Sequence, residues 1–464
     1  MSLIVVLLAL ALLMFVAYRG FSVILFAPVC ALLAVLLTDP ALVPPIFSGL
    51  FMERMVGFVK SYLPVFLLGA VFGKVIELSG FARSIVSAVI GVVGRERSIL
   101  SIVVVCALLT YGGVSLFVVV FAVYPFAAEM FRQAGIPKRL IPATIALGAF
   151  TFTMDALPGT PQIQNIIPTA FFKTNTFAAP WLGVIGAVFI LVTGLAYLEW
   201  RRRKAAAAGE GYGTKLVNEP EPFPEESLPS PWLAVTPLVI VGVMNKVFTV
   251  LIPRFYGAAY SAELPGLAKP VVTQVSSVAA IWAVEGALLV GILTVVLFAF
   301  KPLKERFAEG TKSAVAGALL ASVNTASEYG FGGVIAALPG FLVIAQGMQA
   351  IPGGVLVNEA ITVTALAGIT GSASGGMSIA LATMADSFIS AANVAGIPME
   401  VLHRVAAMAS GGMDTLPHNG AVITLLGVTG LTHKESYRDI FAVTLVKTAA
   451  VVVAISVYYA TGIY

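Results

Sequence analysis

The chain has 464 residues, of which 59% are hydrophobic and 11% are charged, and its mean hydropathy is +0.98. A soluble domain of this length would expose much more charge, so the composition predicts a polytopic integral membrane protein. The formal net charge of +4 is small, and no basic segment is interleaved with aromatic residues, which argues against a nucleic-acid partner. Cys30 and Cys106 lie in apolar runs without the Cys/His spacing of a metal site, so we expect no metal and no cofactor.

Residues 1–97 are predicted to form the first part of a scaffold. Uncharged runs at 1–18, 20–38 and 62–78 are typical of membrane spans. The first run has no basic residues before it and is followed by Arg19, which favours a retained helix over a cleaved signal. Charged residues lie within 44–60 and at the end of the apolar segment 81–94. Each of these two segments is therefore predicted to form a helix that lies in the membrane interface.

Residues 98–200 are predicted to form the first part of a transport domain. The apolar run 98–130 is interrupted at Tyr111-Gly112-Gly113, and each arm, at about 1.5 Å per residue, is short for a full crossing. We therefore expect a re-entrant hairpin. Within 138–172 the helix must break, because proline lacks a backbone donor and clashes with the preceding turn. The break falls at Met154-Asp155-Ala156-Leu157-Pro158-Gly159-Thr160-Pro161, and a span at 179–200 follows.

Residues 201–231 are rich in Glu, Pro, Gly and Lys, and predict a solvated cytoplasmic linker. The second half then repeats the plan, with a scaffold part at 232–350 and a transport part at 351–464. In the transport part we expect a hairpin at 353–393, whose tip is Gly371-Ser372-Ala373-Ser374-Gly375-Gly376. A second broken helix is expected at 398–430, with its break at Met413-Asp414-Thr415-Leu416-Pro417-His418-Asn419-Gly420.

Similar strings recur in the two halves, in the same order and about 260 residues apart. Gly112-Gly113-Val114-Ser115 corresponds to Gly375-Gly376-Met377-Ser378, for example. Most basic residues can be cytoplasmic together if each half crosses about five times and both termini lie outside. This arrangement leaves Arg54, Lys60, Lys269 and Arg404 outside. An odd number of crossings inverts the second repeat. We therefore predict an all-α inverted repeat of about five spans and one re-entrant hairpin per half, with two broken helices.

Ionisable side chains at membrane depth are costly, so each is a functional candidate. Asp155 and Asp414 lie at the breaks, where each could couple transport to protons or could merely cap the following half-helix. Glu328, inside an apolar run, is a third proton-coupling candidate or a partner of nearby hydroxyls. His418 is the fourth, although an isolated buried histidine is more often only a hydrogen-bonding group. Other acids and histidines are expected to be solvated or interfacial: Glu77, Glu129, Glu285, Glu359, Asp386, His403 and His433.

Polar residues and glycines cluster at the two hairpin tips and at the two breaks. Backbone amides at half-helix starts carry partial positive charge, and four such starts would hold a carboxylate without a cationic side chain. We expect no arginine or lysine at these places, so the predicted ligand is a small hydroxylated anion. The glycines could instead serve close helix packing. The predicted binding residues are Thr110, Gly112, Gly113, Ser115, Gly159, Thr160, Gln162, Asn165, Ser372, Ser374, Gly375, Gly376, Ser378, Thr415, His418 and Asn419.

Three strings, at 157–165, 328–333 and 403–420, carry a family resemblance. At these residues the chain resembles the gluconate permease (GntP) family of the ion transporter superfamily, and the segment 403–439 is most similar to its D-β-hydroxybutyrate permease members. The resemblance implies proton-coupled uptake of a short hydroxy acid or sugar acid across a bacterial inner membrane. It also implies a homodimer whose transport domain moves as an elevator against the scaffold. Sodium-binding members of the superfamily often carry Ser-Asn-Thr at the hairpin tips, and the tips of this chain differ.

The sequence therefore predicts a secondary active transporter, and not an enzyme, that carries a short hydroxycarboxylate with protons. Sodium-coupled carboxylate symport is an alternative. A passive anion channel needs no symmetric broken helices but could possess them. An intramembrane aspartyl protease is a weaker alternative, because Asp414 follows Gly411-Gly412-Met413 and lacks the Gly-x-Gly-Asp spacing of such enzymes.

Overall fold

The computed structural model describes residues 2–19, 21–214, 217–220, 228–267, 269–349, 351–417 and 419–464. Short 3-10 turns (Pro40–Leu42, Arg95–Arg97 and Lys138–Leu140) and a π turn (Ile46–Phe51) connect helices of the first half. These helices are α1 (Ser2–Tyr18), α2 (Val23–Thr38), α3 (Val43–Pro45), α4 (Met52–Leu78), α5 (Phe81–Val93), α6 (Ser98–Tyr111), α7 (Leu116–Gln133), α8 (Ile141–Ala149), α9 (Phe152–Asp155), α10 (Ile163–Phe172) and α11 (Pro180–Ala207).

The second half adds a small antiparallel ribbon of β1 (Tyr260–Ala262) and β2 (Val271–Thr273), with Ser261 opposite Val272. The prediction of an all-α chain is wrong at this ribbon, because Val271, Val272 and Thr273 are β-branched and favour a strand. The helices are α12 (Pro231–Tyr256), α13 (Val275–Phe298), α14 (Phe300–Lys304), α15 (Phe307–Ala337), α16 (Pro339–Gln349), α17 (Gly354–Thr370), α18 (Ala373–Ala395), α19 (Met399–Gly411), α20 (Gly420–Thr429) and α21 (His433–Thr461), with a 3-10 turn at Gly412–Thr415.

Among the described residues, 6 helices are long and apolar enough to cross a membrane. The sequence predicts about five crossings per half, which is more than these helices provide. Several of the predicted spans correspond to shorter helices, so the number of crossings stays a prediction. These candidate spans are Pro40–Leu78, Pro180–Ala207, Pro231–Tyr256, Val275–Phe298, Ala373–Ala395 and His433–Thr461.

Two predicted boundaries are wrong. The separate interfacial helix at 44–60 and span at 62–78 are largely one 27-residue helix, α4, because Glu53, Arg54 and Lys60 lie on its exposed side and leave its buried face apolar. The linker predicted to begin at 201 begins after α11, which continues to Ala207. That helix can continue because Arg201 is buried and paired rather than solvated.

The helices pack so that the hairpins and the predicted breaks face the interior. α4 lies along α15 and α13, and α12 lies along α13. The α6–α7 hairpin packs against α8, and the α17–α18 hairpin packs against α19. α10 is held between α18 and α19, and α21 packs on α11, α8 and α19. The start of α10 and the end of α19 are therefore surrounded by protein.

Asp439, at the first turns of α21, is the centre of a buried ion-pair network. Its carboxylate accepts from Tyr197 at 2.8 Å, from Arg139 at 2.9 Å and from Arg201 Nη2 at 3.1 Å. Arg139 also pairs with Glu210 at 2.7 Å, and this contact lowers the pKa of the Glu210 carboxyl. The network therefore joins α11, α21 and the turn that precedes α8.

We expect Asp439→Asn to lower the free energy of unfolding by about 3–5 kcal/mol, because buried Arg201 would lose its carboxylate partner. Thermal unfolding of the purified protein in detergent measures the effect. The matched control is Glu199→Gln, since Glu199 pairs with Arg202 at 2.7 Å on the half-exposed surface of α11; it should change stability by about 1 kcal/mol or less. Equal losses in the two variants would contradict a central role for Asp439.

Candidate functional site

Regular α-helix is interrupted after Asp155 and around Asp414. α9 ends at Asp155 and α10 begins at Ile163, and between them Pro158 and Pro161 remove two backbone donors. Gly159 in this segment has φ +82°, a conformation that favours glycine. In the second half, α19 ends at Gly411 and α20 begins at Gly420, after a 3-10 turn that contains Asp414.

Asp414 joins the second break to two other elements. Its Oδ2 accepts from Gln164 Nε2 at 2.9 Å, at the start of α10. Its Oδ1 accepts from the backbone N–H of Ala373 at 3.0 Å, the first residue of α18, and from Asn419 Nδ2 at 3.3 Å. Both carboxylate oxygens of Asp414 therefore accept hydrogen bonds from N–H groups. One of these donors is the backbone amide of Ala373, which begins α18 at the second hairpin tip.

Amide side chains bind both hairpin tips to the break segments. Gln162 donates to the carbonyl oxygen of Thr110 at 2.7 Å, at the end of α6. Asn419 donates to the carbonyl oxygen of Gly371 at 2.8 Å and accepts from Ala421 N–H at 2.7 Å, so it caps α20. We call Gln162, Gln164, Asp414 and Asn419 the central polar cluster. Its four members lie at the two break segments, and they contact both hairpin tips through Thr110, Gly371 and Ala373.

Lys447, on α21, is buried at the ends of two helices. Its Nζ donates to the carbonyl oxygen of Phe150 at 2.6 Å, where α8 ends, and to that of Gly411, where α19 ends. The same atom lies 3.2 Å from Asp155 Oδ2, and both side chains are 1% exposed. Helix C-termini carry partial negative charge and unsatisfied carbonyls, so the ammonium satisfies both ends at once.

Arg404, on α19, is the second buried cation. Its guanidinium donates to the carbonyl oxygens of Asp155 at 2.8 Å and Ala178 at 2.8 Å, and to Asn165 Oδ1 at 3.0 Å. The guanidinium therefore fixes the backbone around the first break. Its N–H groups are used within the protein, so it is placed to support the site rather than to bind a ligand.

The expectation that no arginine or lysine lies at these places is wrong. Arg404, expected outside, is in the core, and His403, expected at the interface, is fully buried and contacts Asn165 at 3.2 Å. α19 is buried on all sides from Val401 to Gly411, so His403 and Arg404 face protein partners and not water. Lys447 could have been found from the sequence, because it is an ionisable residue inside the apolar run of α21.

Glu328, on α15, lies against the second hairpin tip. A Cβ at Gly375 would overlap its Oε2, and its carboxyl is hydrogen-bonded to Ser372. Among the described residues, Oε2 has no hydrogen-bond partner. Glu359, expected to be solvated, is instead fully buried in α17, and neither of its oxygens has a partner within the described part of the chain.

Several predicted binding residues are occupied by contacts within the protein. Thr160 donates to the carbonyl oxygen of Thr153 at 2.7 Å, and Asn165 donates to those of Thr160 at 3.0 Å and Thr176 at 2.9 Å. Thr415 contacts Thr444 at 2.6 Å. Ser374 lies 3.4 Å from Ser372, whose hydroxyl accepts from Gly375 N–H at 3.1 Å.

The remaining predicted residues divide into packed glycines, an N-cap serine, two hydroxyls without partners, and one histidine. A Cβ at Gly112, Gly113, Gly159 or Gly376 would meet, respectively, Leu238, Leu288, Phe177 or the backbone of Ala367. Ser115 occupies the N-cap position of α7 without a side-chain cap. Within the described ranges, the buried hydroxyls of Thr110 and Ser378 have no partner. His418 lies outside the described residues.

Buried ion pairs and amides at the ends of interior helices, in a chain with several apolar spans, are typical of a membrane transporter. The chain is 60% identical over 471 residues to the "Uncharacterized transporter YxjC" of Bacillus subtilis (strain 168), and the match covers 100% of both chains. It therefore belongs to the family of that transporter, and it is an integral membrane transporter and not an enzyme.

No family model matches the chain. Among solved structures, the crystal structure of the Alcanivorax borkumensis YdaH transporter is similar with a TM-score of 0.47 and 16% sequence identity. That match covers 90% of this chain and 89% of the other.

We expect Lys447→Met to lower the free energy of unfolding by about 3–5 kcal/mol, because Asp155 would be buried without a cation and two helix ends would lose a donor. Thermal unfolding in detergent measures this loss, with exposed Lys312→Met as the control on α15. Adding Asp155→Asn to Lys447→Met should restore part of the stability, since it removes the uncompensated charge. A double variant that is as unstable as the sum of the single variants would contradict the pairing.

Gly375→Ala should separate the second hairpin tip from α15, because the new Cβ would overlap Glu328 Oε2. We expect a loss of about 1–3 kcal/mol from this overpacking and a marked loss of uptake. The control is Gly317→Ala on α15, where nothing lies within 4 Å of the added Cβ. Uptake in the Gly375→Ala variant equal to that of the control would show that the tip does not need this contact.

Proposed function

We propose that this transporter carries a short hydroxycarboxylate or sugar acid, of the 3-hydroxybutyrate or gluconate kind, in symport with protons. The resemblance to the gluconate permease family supports the substrate class, and the central polar cluster supports a site rich in N–H donors. The observation that carries the proton assignment is the contact of Lys447 with the ends of α8 and α19.

A sodium site needs several oxygen ligands that converge on one point. Carbonyl oxygens at the ends of interrupted helices, together with a carboxylate, form a donor set that suits a hard cation. In this protein Phe150, Gly411 and Asp155 supply such a set, and the ammonium of Lys447 contacts all three. A tethered cation at this point supports coupling to protons and disfavours coupling to sodium.

Of the proposed proton-coupling acids, Glu328 is the one that fits best. Asp155 pairs with Lys447, and Asp414 accepts three N–H bonds, so each has partners that suit an anion. Glu328 is 4% exposed and contacts a hydroxyl, and no cation within the described residues lies at ion-pair distance. Binding a proton would remove the cost of keeping a bare charge buried beside the hairpin tip.

The substrate would bind between the hairpin tips and the break segments. Its carboxylate needs N–H donors, which the starts of α10, α18 and α20 provide, and Asp414 competes for the donor at Ala373. The unpartnered hydroxyls of Thr110 and Ser378 are placed on the two hairpins and are available for substrate hydroxyls. Protonated Glu328 can donate to the same ligand.

The proposed mechanism is an elevator. Residues 1–97 and 232–350 form a scaffold that dimerises, and residues 98–200 and 351–464 form the moving domain. Each repeat contains two half-helices, and the proposed location is the inner membrane of a bacterium. The packing of α4 along α15 and α13, and of both hairpins against α8 and α19, supports this division. Glu328 would then lie where the scaffold meets the moving hairpin tip.

The contacts of the two aspartates argue against the aspartyl protease, and an uptake measurement distinguishes the passive channel. A protease needs two aspartates that share a proton, whereas Asp155 pairs with Lys447 and Asp414 is held by amides. A passive channel would not accumulate its ligand, so concentrative uptake separates it from a symporter.

We expect Glu328→Gln to abolish accumulation of labelled 3-hydroxybutyrate or gluconate driven by a pH gradient in proteoliposomes, since the side chain can no longer exchange a proton. Exchange of labelled for unlabelled substrate at equal concentrations should persist, because it needs binding and movement but no net proton transfer. The matched control is Glu309→Gln, at the exposed start of α15. Accumulation retained in the Glu328 variant would remove this residue from the coupling step.

A further inference from the structure

A cleft outside the central polar cluster lies between α4, α15 and the end of α10. It has a volume of about 380 Å³, in the range of small-molecule sites. One wall is α4, with Glu53, Arg54 and Ser61, the opposite wall includes Phe171 at the end of α10, and Tyr329 of α15 contributes to the lining. The cleft thus has charged, hydroxyl and aromatic groups on one surface.

Arg54 is the cation of this cleft. Within the described part of the chain, no carboxylate pairs with it at ion-pair distance, in contrast to Arg139, Arg201 and Arg202. It interacts with the Tyr329 side chain, which also lines the cleft. An arginine inside an apolar helix that lacks an acidic partner has unused capacity for a bidentate contact with an anion.

The surroundings of Arg54 restrict its side chain. Gly333 of α15 lies against its stem, and a Cβ at Gly333 would come within 2.7 Å of Arg54 Cγ. Phe58 packs against Tyr62 with ring centroids 4.7 Å apart and against Tyr329 at 5.7 Å. The contacts with Gly333 and Tyr329 order the Arg54 side chain, which lowers the entropic cost of binding a ligand.

The cleft also has an acceptor for a hydroxyl. Glu53 lines it beside Arg54, and a carboxylate accepts hydrogen bonds but repels a second anionic group. A ligand with one carboxylate and a hydroxyl can satisfy both residues, whereas a dicarboxylate would face Glu53 with its second charge. The pair therefore matches a monoanionic hydroxy acid.

The position of the cleft relates it to the proposed transport path. Tyr329 in the cleft follows Glu328, which faces the second hairpin tip from the same turn of α15. At the other wall, α10 runs from Gln164 in the central polar cluster to Phe171 in the cleft. One helix on each side thus leads from the cleft to the cluster.

We propose that this cleft is a second binding site of the transporter, an entry site in which Arg54 holds the carboxylate of a monoanionic hydroxy acid and Glu53 accepts from its hydroxyl. The substrate class rests on the proposed function, but the anion selectivity of the cleft does not.

The first experiment measures the charge preference of the cleft without any transport. Gly57 lines the cleft and has nothing within 4 Å of an added Cβ, so G57C should be tolerated and reactive. The two native cysteines, Cys30 and Cys106, are buried. We compare the labelling rates of G57C with an anionic sulfonatoethyl and a cationic aminoethyl methanethiosulfonate, with G69C on the same helix, outside the cleft lining, as the control.

We expect the ratio of anionic to cationic labelling at G57C to exceed that at G69C and to fall about tenfold when Arg54→Gln is added. The Arg54→Lys variant should keep most of the ratio. Equal ratios with and without Arg54, when circular dichroism and thermal unfolding show a folded protein, would overturn the site.

The second experiment measures uptake of labelled 3-hydroxybutyrate and of gluconate in proteoliposomes. Arg54→Gln should raise KM about tenfold and leave the maximal rate within about twofold, because an entry site acts before the central step. Glu53→Gln should weaken the preference for the hydroxy acid over butyrate. Loss of the maximal rate with KM unchanged would contradict an entry role. If neither acid is transported while the labelling preference holds, the proposed substrate fails and the anion site stands.

Discussion

The contact of one buried ammonium with two helix ends is the constraint on which this structure depends. α8 and α19 both end inside the protein, where their last carbonyls have no water to bind. Lys447 donates to both ends and pairs with Asp155, so a single side chain of α21 joins the two break regions. Because the cation is covalently attached, the two helix ends are satisfied without a bound ion.

The other buried charges take different roles around this point. Arg404 satisfies backbone carbonyls near the first break, and Asp414 collects N–H donors from α10, α18 and the second break. Glu328 remains as the acid whose charge no cation offsets among the described residues, at the contact between α15 and the hairpin tip. A proton is the simplest charge that can come and go there, which links the fixed cation to the proposed coupling.

The sequence predicts interruptions at the hairpin tips and near Pro158 and Pro417, because glycine and proline act locally. Proline alone does not fix an interruption, since Pro64 and Pro125 lie inside α4 and α7. The sequence singles out Asp155, Asp414 and Glu328 as functional candidates because charge in an apolar run is costly. The partners of these residues could not be predicted, since Asp155 meets a lysine from another helix and Arg404 meets carbonyls far along the chain. The ribbon formed by β1 and β2 is too short to show the long alternating sequence pattern that predicts strands.

The most direct test of the account is substrate uptake by the unmodified protein in sealed proteoliposomes, with a sodium gradient and a pH gradient imposed separately. If the ammonium of Lys447 takes the place of a bound metal cation, a pH gradient alone should drive accumulation, and a sodium gradient alone should leave uptake at the level of equilibration. Accumulation that follows the sodium gradient and ignores the pH gradient would contradict the account.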